Sequence, residues 1–233
     1  ENKGSEFIFY SAVPDSKKNL FEKQILSIFP NAKIAERKND YNIFNDIGLA
    51  VGSVATLDNN PIFPLKTYEQ FDHDPLNVIL NSFSKIDAEG EGAAIQIIFA
   101  PVGDKYHKRY KHALDQIVKG EKISEAIDMP DTFSEHTWKF VREATQELFS
   151  SSKKKEKEKE KKIKEPPKID ETAVENIKQK IVAPIVTANV RIVASSRTER
   201  EAENILADLE SAFNQLENPH HGNKIVFERK KRG

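Results

Sequence analysis

The sequence predicts an α+β fold in which two ferredoxin-like β-α-β units form a mainly antiparallel sheet with helices packed on one face. An apolar strand at residues 7–13 leads into an amphipathic helix, and a second apolar strand at residues 190–194 leads into another. A short strand follows each helix, at residues 33–35 and 224–227. The two units either complete one sheet or form separate small domains, and we favour one sheet or two closely packed sheets.

Capping residues mark the expected helix starts. Asp15 can accept from the free N–H groups of a first helical turn. Asp74 precedes Pro75, which lacks the N–H that the first helical position does not need. Ser196 and Glu199 form a predicted capping box ahead of the strongest amphipathic pattern in the chain. These signals place three helices along the chain.

Further elements are expected between the two units. Residues 48–57 are predicted to form a strand or hairpin. The apolar run at residues 95–100 is typical of a central strand. The helix that begins at Pro75 is predicted to run to about residue 86. Further helices are predicted at about 105–119, 123–126, 132–149 and 172–182.

Composition excludes several classes of protein. The chain has 233 residues, of which 38% are hydrophobic and 31% are charged. Its net charge of −1 excludes a globally basic nucleic-acid binder. The absence of cysteine excludes disulfides and thiolate metal sites. No apolar run reaches the roughly 18–20 residues of a membrane helix, and no signal peptide is visible. The chain opens without Met and stops in a basic run, so we expect a soluble piece of a longer protein.

A charged segment at residues 150–168 separates two predicted domains, 1–149 and 169–233. Residues 153–168 carry nine Lys against four Glu, a local charge of +5. Within residues 153–164 the single apolar side chain is Ile163. This composition predicts a flexible linker or a solvated helix.

Shortening this linker should leave the fold intact. Ordering a residue costs about 1–2 kcal/mol of backbone entropy, whereas full burial of Ile163 would return only about 1.5–3 kcal/mol. Replacing residues 153–164 by a brief Gly/Ser linker should therefore leave the melting temperature nearly unchanged. A large fall in that temperature would show that the segment packs on the fold.

The sequence lacks the common catalytic motifs. None of the nine glycines lies in a phosphate loop, and no serine lies in a nucleophile elbow. His107 and His112 do not have the spacing of a zinc-protease helix. We therefore expect a domain that is not an enzyme, with no catalytic residue, no metal ligand and no cofactor.

Two histidine-containing clusters have an alternative interpretation. Asp72, His73 and Asp74 could form a metal or acid–base group, but a capping segment before the next helix is the favoured interpretation. His220 and His221 could bind a metal, but their position between two elements is more typical of an exposed turn. A hydrolase that uses these residues ranks last among our hypotheses.

Polyanion binding is a further possibility that the sequence raises. Phe7 and Phe9 could stack on bases, but the apolar strand at residues 93–99 lacks the basic-Gly-aromatic pattern of an RNA-recognition sheet, so packing in the core is favoured. Weak contacts with DNA or anionic lipid could come from seven basic residues, although solvated runs are commoner: Lys153, Lys154, Lys155, Arg229, Lys230, Lys231 and Arg232.

Several stretches resemble a known family. Residues 63–69, 74–76, 83–86, 91–97 and 188–195 are similar, in that order, to the soluble N-terminal region of large bacterial membrane-associated proteins. Those proteins resemble conjugative-transfer and type IV secretion ATPases of the coupling-protein and DNA-translocase kind. The motifs Leu-Lys-Thr-Tyr and Glu-Gly-Ala-Ala-Ile-Gln-Ile recur as a pair in that family. The resemblance covers most of the chain, including a variable charged insertion at residues 150–168.

The resemblance implies a role rather than a reaction. The family's phosphate loop belongs to a motor that would follow Arg232, so this chain is expected to be a non-catalytic assembly or coupling domain. Its expected partners are other domains or subunits of a secretion complex, including further copies assembled through the parent protein. The expected location is the cytoplasm. Through a membrane-anchored parent protein, the domain would lie at the inner face of the membrane. The alternative is a stand-alone nucleic-acid-binding module.

Overall fold

A computed structural model describes residues 9–37, 48–87, 90–127, 169–219 and 221–229. The predicted helix at residues 132–149 and the linker at residues 150–168 lie outside the described residues. So do Phe7, His220 and six of the seven candidate polyanion contacts: Lys153, Lys154, Lys155, Lys230, Lys231 and Arg232.

The predicted α+β fold with a mainly antiparallel sheet is confirmed. Four strands in the described residues form one sheet, and each neighbouring pair is antiparallel. The strands are β1 (Leu49–Leu57), β2 (Gly92–Pro101), β3 (Val186–Ser196) and β4 (Ile225–Arg229). Their order across the sheet is β2-β3-β1-β4.

Six α-helices accompany the sheet in the described part of the chain. They are α1 (Lys18–Ile28), α2 (Pro75–Phe83), α3 (Lys105–Val118), α4 (Ile123–Ile127), α5 (Glu171–Val182) and α6 (Glu199–Ser211). Short 3₁₀ turns lie at Asp15–Lys17, Tyr68–Gln70 and Ala212–Leu216. No helix among the described residues is long and apolar enough to cross a membrane.

The strand order interleaves the two halves of the chain. The helix α2 joins β1 to β2, and α6 joins β3 to β4. In each case a strand from the other half lies between the two joined strands, because β3 separates β1 from β2 and β1 separates β3 from β4. Strands from both sides of the charged segment therefore complete a single sheet.

The predicted N-terminal β-α-β unit is wrong. Residues 9–13 and 33–35 form no strand on either side of α1, and Phe9 is exposed rather than packed in the core. A β-strand requires a hydrogen-bonded neighbour, and no described strand pairs with these residues: β1 pairs with β3 and β4, and β2 pairs with β3. The first β-α-β unit of the structure is instead β1-α2-β2, whereas the second unit lies where the sequence predicted it.

The capping predictions have mixed outcomes. Asp74 caps α2 as predicted, because its Oδ1 accepts from the N–H of Leu76 at 2.9 Å. The predicted Asp15 cap is wrong, since Asp15 lies inside the 3₁₀ turn before α1. The predicted Ser196 box is also wrong: β3 runs through Ser196, so Thr198 becomes the N-cap of α6.

Ser196 nevertheless contributes to the start of α6. Its hydroxyl donates to Glu201 at 3.0 Å, and the hydroxyl of Thr198 donates to the same carboxylate at 2.9 Å. These two hydrogen bonds hold the pKa of Glu201 below its usual value, and the bond from Thr198 has the larger effect.

Two hydrophobic clusters among the described residues stabilise the protein. In the sheet cluster, α2 and α6 cover one face of the sheet, with Ile192, Leu206 and Phe213 buried at its centre. The helical cluster joins α3, α4 and α5 to the loop that carries Ile62 and Phe63. It lies beyond the sheet end where β2 runs into α3 and α5 runs into β3, so the two clusters are neighbours.

The prediction that residues 95–100 form a central strand is wrong. These residues form a strand, but β2 lies at the edge of the sheet and pairs only with β3 among the described strands. An apolar run indicates that a segment forms a strand. It does not determine the position of that strand in the sheet, because the strand order depends on pairing between segments far apart in sequence.

Candidate functional site

The outer edge of β2 is open along its whole length in the described part of the chain. An open edge presents a row of backbone N–H and C=O groups that can pair with a further strand. Natural proteins commonly protect such an edge with charges, but the ten residues of β2 include none. A long, uncharged edge strand is therefore a candidate interaction surface.

The side chains in the C-terminal half of β2 are also exposed. Ile97, Ile98 and Phe99 are 48%, 43% and 66% exposed. Because side chains alternate along a strand, Ile97 and Phe99 lie on the same face as Ile95, which packs in the sheet cluster. Ile98 lies on the opposite face, so the edge offers apolar side chains above and below the sheet.

Polar side chains of β3 adjoin this edge on the face of Ile98. Arg191 pairs with Gln96 in the register of the two strands, and its Nε donates to Oδ1 of Asn189 at 2.7 Å. The hydroxyl of Thr187 donates to the carbonyl oxygen of Ala100 at 3.2 Å. The surface thus combines an apolar edge with a polar fringe, as protein-binding surfaces commonly do.

The motif at residues 91–97 builds the start of this edge. The Glu91 carboxylate accepts from the backbone N–H of Asp87 at 2.8 Å, which closes the turn that leads into β2. Gly90 has a φ of +91°, and a Cβ atom there would lie 2.7 Å from Nε of Arg197. Both observations explain why a Glu-Gly-rich turn precedes the strand.

The motif at residues 63–69 has a structural role instead. Phe63 and Pro64 are buried, and the backbone N–H of Lys66 donates to the carbonyl oxygen of Leu216 at 3.0 Å. The N–H of Thr67 donates to Oε1 of Gln70 at 2.8 Å, within a capping box. This segment therefore fixes the connection between the two clusters.

The one candidate polyanion contact in the described residues lies away from the β2 edge. Arg229 is on β4, at the opposite edge of the sheet. Its guanidinium lies 3.4 Å from the carboxylate of Glu210, and this ion pair partly neutralises its charge.

The described members of the two histidine-containing clusters lie beside different helices. Asp72 and His73 are exposed beside the α2 cap, whereas Nε2 of His221 lies 2.9 Å from a carboxylate oxygen of Asp170 at the start of α5. Nε2 of His107 lies 3.1 Å from the carbonyl oxygen of Ile181. Within the described ranges, no three His, Cys, Asp or Glu side chains are placed to share a metal ion.

Two of the concavities on the described structure are small. One beside Tyr110 measures about 10 Å³. The other, a polar crevice between Asp58 and Asn218, measures about 130 Å³. Both are smaller than the roughly 300–1,000 Å³ of typical small-molecule pockets, so neither of these two has the size of a typical ligand site.

Sequence reasoning found β2 but not its position. The signal that could have indicated an edge is the sequence after Ile95, where Gln96 is followed by apolar residues as far as Pro101. Proline is found in sheets at edges and strand ends, because it cannot donate to a neighbouring strand. That signal is weak, since a strand end and an edge both satisfy it.

The chain belongs to the family described as Domain of unknown function (DUF8128), whose match covers residues 2–228. No curated protein and no solved structure matches the chain.

Proposed function

We propose that this domain is a non-catalytic assembly and coupling domain of a DNA-translocating ATPase of the type IV secretion or conjugation kind. The observation that carries the proposal is the open, uncharged edge of β2 with Ile97, Ile98 and Phe99 exposed. The resemblance of residues 63–69 and 91–97 to the N-terminal region of such proteins supplies the biological setting.

The proposed mode of binding is strand addition. An extended segment of a neighbouring domain or subunit would form main-chain hydrogen bonds with the free edge of β2. Its alternating side chains would contact Ile97 and Phe99 on one face of the sheet and Ile98 on the other. Affinity would come mainly from the backbone, and specificity from these two apolar sites.

We also propose that the interleaved units be regarded as ferredoxin-like. Two β-α-β units, β1-α2-β2 and β3-α6-β4, with both helices on one face of an antiparallel sheet, support this description. The helices α3, α4 and α5 would then be an insertion between the second and third strands.

A charge at the edge should weaken assembly without unfolding the domain. We expect Ile98→Lys to reduce the affinity of this domain for the remainder of its parent protein by about tenfold or more, because an edge lysine opposes strand addition. Stability should change by no more than about 0.5 kcal/mol, since Ile98 is partly exposed. Isothermal titration calorimetry between the two separately expressed parts measures the first effect, and urea denaturation the second.

The matched control is Val182→Lys, which places the same charge on an exposed apolar residue of α5. It should leave the affinity unchanged. Equal affinities for Ile98→Lys and the unaltered domain would contradict the strand-addition mode. A parent reading frame without a phosphate loop would contradict the coupling role itself.

The nucleic-acid alternative lacks a supporting observation among the described residues. Phe9 lies outside the sheet, so it does not contribute to a stacking platform on the strands. Arg229 is engaged by Glu210. The described residues therefore support the assembly role better than the nucleic-acid one.

A further inference from the structure

The N-terminal segment, residues 9–37, exposes an unusual amount of apolar surface. The helix α1 has no buried residue. Phe9, Leu20, Ile28 and Phe29 are 73%, 55%, 65% and 59% exposed. Single exposed apolar residues are ordinary on a protein surface, but this many in one segment indicate a surface that binds something.

The helix is amphipathic although neither hydrophobic cluster includes it. At 100° per residue, four of the five large apolar side chains of α1 fall on one arc of about 140°, and Leu26 lies outside it. The four are Leu20, Phe21, Ile25 and Ile28. Phe21 and Ile25 are partly buried, whereas Leu20 and Ile28 are exposed within the same arc. The pattern is that of a surface helix whose apolar side faces solvent.

The charge of this segment differs from that of the chain. Residues 9–37 contain five basic and three acidic side chains, a net charge of +2, whereas the whole chain has −1. Lys18 is engaged by Glu36, and the hydrogen bond and charge of that carboxylate raise the pKa of Lys18. Lys17, Lys23 and Lys33 are exposed on the same segment as the apolar arc.

We propose that residues 9–37 bind the surface of an anionic lipid bilayer, with the apolar arc of α1 at the boundary between headgroups and acyl chains. Exposed lysines in the same segment as an apolar arc complement anionic headgroups. Exposed aromatic residues at both ends of the segment, Phe9 and Tyr10 before α1 and Phe29 after it, suit the membrane interface.

A bilayer explains this surface better than a protein groove does. A groove selects a narrow stripe on one helix, whereas the exposed apolar residues here extend from Phe9 to Ile34, on both sides of α1. The helix has 11 residues, which is too short to span a bilayer that needs about 20. The geometry therefore favours a helix that lies on the membrane.

Vesicle sedimentation with the full chain tests the proposal. Binding should be strong with mixed phosphatidylcholine–phosphatidylglycerol vesicles and weak with pure phosphatidylcholine. The double variant Leu20→Ser, Ile28→Ser should reduce binding to the anionic vesicles by about tenfold or more, because burial of two large apolar side chains is lost. The matched control Tyr68→Ser, Val182→Ser removes two exposed apolar side chains elsewhere and should bind as the unaltered chain does.

A fluorescent reporter separates insertion from adsorption. Ile28→Trp in a Trp138→Phe background should show a blue shift with anionic vesicles, and Val182→Trp in the same background should not. If binding disappears at high salt but is unchanged in the double serine variant, the contact is made by the basic runs. That result would overturn the proposal. Absence of binding, or self-association without vesicles that the double variant abolishes, would also overturn it. Ile98→Lys should leave vesicle binding unchanged, so this test is independent of the proposed function.

Discussion

Replacement of Asn223 by alanine should lower the free energy of unfolding by about 3–4 kcal/mol, because its buried side chain makes several hydrogen bonds to backbone groups that would be lost together. Asn223 is 3% exposed. Its Nδ2 donates to the carbonyl oxygens of Asn59 at 3.1 Å and Asn60 at 3.0 Å. Its Oδ1 accepts from the backbone N–H groups of Asn59 at 2.9 Å and Lys224 at 3.0 Å.

These hydrogen bonds connect two loops that lie between the hydrophobic clusters. The backbone of Asn223 adds two more, from its N–H to the carbonyl oxygen of Pro64 and from the N–H of Asn218 to its own carbonyl oxygen. Nearby, Nδ2 of Asn176 on α5 donates to the carbonyl oxygen of His221 at 3.1 Å. Loss of Asn223 should therefore loosen the contact between α5 and the sheet as well as the loops themselves.

Urea denaturation of the purified domain measures the effect. The matched control is Asn214→Ala, which removes the same side chain from an exposed position in the 3₁₀ turn after α6. Its expected change is within about 0.5 kcal/mol. A loss below about 1 kcal/mol for Asn223→Ala would show that water replaces the side chain at no large cost.

The parts of the fold that local chemistry determines could be predicted from the sequence. The start of α2 is an example, because Asp74 supplies the acceptor and Pro75 lacks an N–H that would need one. The second unit was also predictable. Its strand and its helix carry different hydrophobic periods, and each period matches the element that forms.

The start of α6 shows the limit of local signals. The sequence contains two overlapping box patterns, Ser196 with Glu199 and Thr198 with Glu201. Either pattern could cap the helix alone. Pairing of β3 with β1 and β2 reaches Ser196 and Ser195, respectively, and this keeps Ser196 in the strand. The tertiary structure therefore selects the second pattern.

The candidate site was the least predictable part. The apolar run of β2 is evident in the sequence, but its edge position depends on β3, which lies about ninety residues further along the chain. Nothing in the local sequence of either strand determines which of its two sides is paired. The same limitation applies to residues 9–13, which have the composition of a strand but lack a partner strand in the described structure.

Two leucines on similar helices should respond very differently to truncation. Leu206 is 0% exposed in the sheet cluster, whereas Leu20 is 55% exposed and lies outside both clusters. Leu206→Ala should lower the free energy of unfolding by about 2–5 kcal/mol, because it leaves a cavity among buried side chains. Leu20→Ala should change that free energy by about 0.5 kcal/mol at most, because its side chain is already largely in solvent. Urea denaturation of the two variants under the same conditions measures the contrast.

This contrast tests the distinction that the sequence could not make. Both α1 and α6 have an apolar arc and a polar arc, so the hydrophobic period alone predicts a core contact for each. In the structure α6 packs on the sheet, whereas α1 has no buried residue and belongs to neither hydrophobic cluster. Equal losses of stability would mean that α1 belongs to the folded core. A loss confined to Leu206→Ala leaves the apolar arc of α1 available for a binding partner, because the fold does not depend on it.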